Sequence, residues 1–161
     1  MGSEPTAADV VAACIERGLT IATGESLTAG LLAASLADVP GCSAVLRGSV
    51  VAYQPDVKQA LLGVTDADLA RGVVSEQVAA AMADGVRRAL SADIGVGTTG
   101  VAGPEPHDGE PVGSVWIAVA TSREVRTQHL VIDGDRAAIR RQTVVSCLAL
   151  LMTELAGAAT G

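Results

Sequence analysis

From Thr6 to Leu155, stretches with apolar residues at helical spacing alternate with short β-branched runs, which restricts a chain of 161 residues to layered α/β architectures. Residues 6–17 read as a helix, with Thr6 and Asp9 spaced as a capping box and Gly18 as its stop. A short strand, residues 19–23, ends at Gly24 and hands over to a small-residue helix, residues 27–37, closed by Asp38-Val39-Pro40-Gly41. Residues 44–53 form the next strand, with Gly48 as a bulge or a close backbone approach, and Pro55 starts a helix through Leu62. Ser75 caps a helix over residues 76–90 that ends in the basic pair Arg87-Arg88, and residues 93–99 are strand. After a Gly- and Pro-dense loop, residues 100–113, come a hairpin of residues 115–121 and 125–132 and a final helix, residues 136–155. The expected fold is one domain, residues 1–161: a three-layer α/β/α sandwich whose mixed, mostly parallel sheet carries an antiparallel hairpin.

Trp116 and Tyr53 are the only Phe, Trp or Tyr residues, so the core must be built from Ala, Val, Leu and Ile, and stacking platforms for bases cannot be numerous. A net charge of -7 with no basic cluster disfavours nucleic acid as a direct ligand. Cys14, Cys42 and Cys147 are odd in number and lie in apolar contexts, as free thiols in a reducing compartment would. No apolar run reaches the ~20 residues that span a bilayer, and the N-terminus lacks the pattern of an export signal, so a cytoplasmic protein without membrane contact is expected.

Several chemical templates fail on their spacing. Gly24-Glu25-Ser26-Leu27-Thr28 has Thr28 where a nucleophile elbow needs glycine, and no Asp and His complete a triad. Tyr53 and Lys58 are one residue too far apart for the Tyr-Lys pair of short-chain dehydrogenases, and no G-x-G-x-x-G follows an early strand. His107 and His129 do not have metal-pair spacing, and the run Gly95–Gly100 lacks the Lys-Ser/Thr ending of a P-loop, although its backbone suits one phosphate or carboxylate. No metal or cofactor is expected. What is left is Ser26, at a strand-to-helix junction, and a serine without a histidine needs another base. A lysine kept neutral by its surroundings, with tyrosine as proton relay, is the main candidate. Each residue also has an ordinary use: Ser26 as a helix cap, Tyr53 as a strand residue, Lys58 as a solvated amine. Arg136 and Arg140 share one face of a helix start, which suits either an anion or solvent. The residues alone leave these alternatives open.

Six blocks together add a resemblance. They are Thr23-Gly24-Glu25-Ser26-Leu27-Thr28-Ala29-Gly30, Gly48-Ser49-Val50-Val51-Ala52-Tyr53 with Lys58, Val74-Ser75, Thr99-Gly100-Val101-Ala102-Gly103-Pro104, Pro111-Val112-Gly113, and Gly134-Asp135-Arg136 with Arg140. In this order they resemble the CinA C-terminal domain family, whose stand-alone, PncC-like members are nicotinamide-nucleotide amidases. The resemblance implies hydrolysis of the carboxamide of nicotinamide mononucleotide to nicotinic acid mononucleotide and ammonia, a step of pyridine nucleotide salvage. It implies Ser26 as nucleophile, Lys58 as general base and Tyr53 as relay, with oxyanion donors among the N–H groups near Ser26 or in residues 99–103.

Substrate-binding positions implied by the first block are Glu25, Thr28 and Gly30, and by the glycine loop Thr99, Gly100, Ala102 and Gly103. Arg136 and Arg140, with the loop amides, are expected on the phosphate. Arg47 is a further expected substrate-binding position, and either desolvation or a cationic neighbour (Arg47, Arg136 or Arg140) is expected to lower the pKa of Lys58. The family also implies a homo-oligomer, which the apolar segment 143–155 suits, though packing of that face on the sheet explains it equally well. The chain departs from the family pattern at Glu105-Pro106-His107-Asp108-Gly109, at Gln54-Pro55 and at Ile132-Asp133. An amidase for another small amide and a non-catalytic interaction module are the competing expectations. No counterpart of the molybdopterin-binding-like domain of larger relatives is expected, and its activities are not expected either.

Overall fold

A computed structural model describes residues 2–158. Its strands β1 (Ile21–Glu25), β2 (Leu46–Val51), β3 (Ile94–Gly100), β4 (Ser114–Ala120) and β5 (Val125–Val131) form one sheet in the order β2-β1-β3-β4-β5. β1 lies parallel to both β2 and β3, whereas β3–β4 and β4–β5 are antiparallel. β5 therefore runs in the direction of β1, β2 and β3, and β4 alone is reversed. The β1–β2 register skips Arg47 next to Gly48, the bulge expected at that glycine.

Helices α1 (Ala7–Arg17), α2 (Leu31–Ala37) and α6 (Arg136–Gly157) cover one face of the sheet, where Val10, Leu32, Ile139 and Leu151 meet Ile21, Val96 and Ile117. On the other face α3 (Pro55–Leu62) and α5 (Glu76–Ala89) pack Leu62, Val78 and Met82 on Ala22. The three-layer sandwich follows from β1, β3 and β4, which are buried along almost their whole length and so need a helical layer on each face. α6 spends its apolar face inside the chain: Val144, Cys147, Leu148, Leu151 and Leu155 are all buried. Cys14 and Cys147 are free and buried and Cys42 is half-buried; burial pushes the Cys14 thiol up to about 11, which leaves it unreactive.

Gly95 and Gly97 of β3 are packing residues, a correction to their reading as part of an anion cradle. Gly95 and Gly97 point at α5, and a Cβ on Gly95 would lie 2.0 Å from the Ala83 carbonyl oxygen. α5 can approach the sheet this closely only where the strand carries no side chain. Gly95→Ala is expected to cost at least about 3 kcal/mol, read as a lowered urea midpoint, because the opposing atom is helix backbone and cannot swing aside.

Two local differences from the expected elements bear on function. α2 begins at Leu31, four residues later than its apolar pattern suggests, because residues 27–30 form a turn with Ala29 at φ 48° and Gly30 at φ 92°. A short helix α4 (Asp66–Leu69), capped by Thr65 and Asp68, follows α3 in a segment for which no element was expected.

Candidate active site

Ser26 leaves the C-terminal end of β1, in the centre of the parallel part of the sheet, where side chains at strand ends meet the loops. Its amide is held by Thr98, donating to the carbonyl at 3.1 Å and to Oγ1 at 3.2 Å. The turn behind it is braced from two sides. The carboxylate of Glu25, wholly buried, accepts from the amides of Gly30, Leu32 and Ala33 and from the hydroxyls of Thr23 and Ser49, so it caps α2 from the preceding strand. Arg140 donates Nε to Leu27 O at 2.9 Å and Nη2 to Thr28 O at 3.0 Å.

Lys58 is the only lysine of the chain, and it is completely buried. It sits in the first turns of α3, which Pro55 starts directly after the segment that leaves β2. Ala52 donates its amide to Glu25 O at 2.9 Å, which ties that segment to the end of β1. Lys58 Nζ lies 2.9 Å from Ser26 Oγ, 2.9 Å from Ala52 O and 2.7 Å from Tyr53 O. None of the ion pairs among the described residues includes it. Burial with no compensating anion lowers the ammonium pKa from 10.5 to about 8. In the neutral amine two N–H bonds can serve the two carbonyls, which accept only, and the lone pair then faces the Ser26 hydroxyl.

In front of Ser26 opens a cleft of about 290 Å³. Tyr53, Thr99, Gly100, Ala102, Gly103 and Arg136 line it, as does Leu27. Arg136 spans its mouth, donating to Gly103 O and, at 2.8 Å, to the Tyr53 hydroxyl. Among the described residues, the amides of Leu27, Ala102 and Gly103 donate to no protein acceptor. Unpaired N–H groups at a cleft are uncommon and suit a bound oxygen. A larger hollow, about 330 Å³, lies at the opposite end of the sheet between Leu19, Asp93, Thr121 and Glu154, away from Ser26.

The expected site residues therefore divide. Ser26, Lys58, Tyr53, Thr99, Gly100, Ala102, Gly103 and Arg136 come together at one cleft. Glu25, Thr28, Gly30, Arg140 and Arg47 do not line it, a correction to their reading as ligand contacts. Glu25 and Gly30 build the α2 cap, Thr28 is buried with Oγ1 2.9 Å from Thr98 Oγ1, and Arg140 is committed to the carbonyls of the turn. Arg47 donates to Leu90 O at the other end of β2. No arginine is needed to lower the Lys58 pKa, since burial accounts for the direction. The Tyr53 hydroxyl meets Arg136, while the carbonyl of Tyr53 meets Lys58, so its relay role has no direct contact to Ser26. Thr98, Val73 and Val74 were not expected at the site; Thr98 carries a signal in the Thr-Thr pair near the end of β3 and Val74 one in the Val74-Ser75 block, whereas Val73 carries none.

Comparison with known proteins places the chain in a family. The model of the CinA C-terminal domain family matches residues 3–155. A CinA-like protein of Frankia casuarinae is 47% identical over 149 residues, covering 92% of this chain and 34% of its own length. A putative competence-damage inducible protein of Desulforamulus reducens is 48% identical over 144 residues, covering 89% of this chain and 35% of its own length. The chain thus spans about a third of the length of those relatives. Among solved structures, a CinA superfamily protein from Klebsiella pneumoniae superposes with a TM-score of 0.90 at 35% identity, covering 94% of this chain and 96% of that one. A competence/damage inducible protein from Agrobacterium tumefaciens gives 0.84 at 33% identity, covering 95% and 98%. The chain belongs to the CinA C-terminal domain family.

Proposed function

We propose that the chain is an amidase that hydrolyses the carboxamide of nicotinamide mononucleotide through a Ser26–Lys58 pair. The observation that carries this reading is the chain's only lysine, buried without an anion and 2.9 Å from the serine hydroxyl. A surface amine serves no such geometry, whereas a neutral buried one is a competent base near neutral pH.

In the first half-reaction Ser26 Oγ attacks the carboxamide carbon while Lys58 Nζ takes the hydroxyl proton. The resulting oxyanion is met by the free amides of Leu27, Ala102 and Gly103. The Lys58 ammonium then returns its proton to the nitrogen, the C–N bond breaks, ammonia leaves and a nicotinoyl ester remains on Ser26. Water, deprotonated by Lys58, hydrolyses the ester and regenerates the serine. Tyr53 orients Arg136 across the cleft through their hydrogen bond.

Among the described residues Arg136 is the only arginine lining the cleft, and it is the candidate partner of the substrate phosphate. Arg136→Ala is expected to raise KM for nicotinamide mononucleotide roughly thirtyfold, as loss of a charged hydrogen-bond pair does. Steady-state kinetics of ammonia release check it, and an unchanged KM assigns the phosphate elsewhere. Incubation of the purified protein with nicotinamide mononucleotide tests the substrate itself. No ammonia from this compound, with release from another small amide, moves the reading to that amide, which the Glu105–Gly109 departure favours. Ammonia from neither favours the interaction module.

A further inference from the structure

The loop between β3 and β4, where the chain departs from the family pattern, forms one wall of the cleft through Glu105, Pro106 and His107. Arg136 holds the start of this loop through Gly103 O, and Asp108 ties its tip to the opposite side of the cleft. Asp108 Oδ2 accepts from the Val73 amide at 2.7 Å, joining segments 35 residues apart. Residue 72 has to be glycine for this: a Cβ there would stand 2.8 Å from the same oxygen, and its φ is +102°. Val73 in turn accepts from Thr99 Oγ1 through its carbonyl, at 2.8 Å. Asp108, Val73 and Thr99 thus form one stitched line along the cleft, on which Val73, Val74, Thr99 and His107 present themselves to a ligand. At its other end the loop is fixed to the sheet, because Glu110 accepts from the buried Ser114 hydroxyl at 2.9 Å, and it is closed on itself where the backbones of His107 and Glu110 exchange hydrogen bonds.

We propose that Asp108 is a positioning residue that holds the loop wall against residues 72–74 and so sets how tightly the cleft binds the ligand presented to Ser26. It touches neither the reacting atoms nor Lys58, so it acts on binding and leaves the chemical step intact. The kinetic consequence rests on the amidase reading; the clasp itself does not.

The test pairs Asp108→Ala with Asp108→Asn, since the asparagine Oδ1 still accepts from the Val73 amide and asparagine tolerates the left-handed backbone of residue 108, φ 54°. The alanine variant is expected to raise KM for nicotinamide mononucleotide roughly three- to tenfold with kcat within about twofold, and the asparagine variant to restore KM. Hydrogen exchange of the Val73 amide is expected to accelerate in the alanine variant and to stay slow in the asparagine variant. An unchanged KM in Asp108→Ala overturns the proposal, as does an asparagine variant as impaired as the alanine one, which would assign the effect to charge. If the wild type releases no ammonia from this substrate, the amidase reading has failed and Val73 exchange alone decides. Exchange that is unchanged in Asp108→Ala then overturns the clasp, and faster exchange sustains it.

Discussion

Ser26→Ala lowers ammonia release from nicotinamide mononucleotide by at least about a thousandfold while the protein melts close to wild type. The two halves of this expectation have separate causes. Among the described residues the Oγ atom is the sole nucleophile in the cleft backed by a base, so its loss leaves only binding and the free amides to act on a bound carboxamide. The fold does not depend on it, because Thr98 and Ala29 hold the backbone of Ser26 and Lys58 keeps both carbonyl partners. A variant that unfolds would place the hydroxyl among the structural residues. One that turns over at wild-type rate removes Ser26 from the chemistry.

Lys58→Arg is expected to be equally inactive, and for a reason that composition makes sharp. Arginine keeps a cation and its donors, yet it does not deprotonate near neutral pH, so a base is lost where a charge is retained. Stability provides an independent reading. The folded state lowers the Lys58 pKa from 10.5 to about 8, so between those values the unfolded chain binds the proton that the native protein has released. Native stability from this group is therefore present above about 10.5 and lost as pH falls through about 8. Relative to Lys58→Met, the wild type should gain about 3 kcal/mol as pH rises across that window, measured by urea unfolding at each pH. A constant difference between the two proteins would show that the amine does not titrate on folding.

The layered fold was legible because its helices and strands have different apolar periods and because caps such as Thr6 with Asp9, and Ser75, are local. The start of α2 was not legible. Leu27 to Gly30 are all compatible with helix, nothing in an alanine announces φ 48°, and the cap comes from Glu25, five to eight residues upstream of the amides it serves. Gly95 and Gly97 were ambiguous for a similar reason: a glycine that binds an anion and one that admits a helix are alike until α5 is seen against them. At the site, Ser26 and Lys58 were nominated by exclusion of other bases, and the absence of any second lysine was a further signal in the sequence. The task of Tyr53 was hidden because Arg136, its hydroxyl partner, lies 83 residues away, and the Arg140 assignment failed because its acceptors are backbone carbonyls, which no side-chain pattern reveals.

The pH dependence of kcat/KM for ammonia release from nicotinamide mononucleotide tests the Ser26–Lys58 pair most directly. The rate should rise about tenfold per pH unit on the acid side and level off above an inflection near the Lys58 value of about 8. A rate that is flat across that range, or that falls as the lysine loses its proton, would contradict a neutral Lys58 as the base for Ser26.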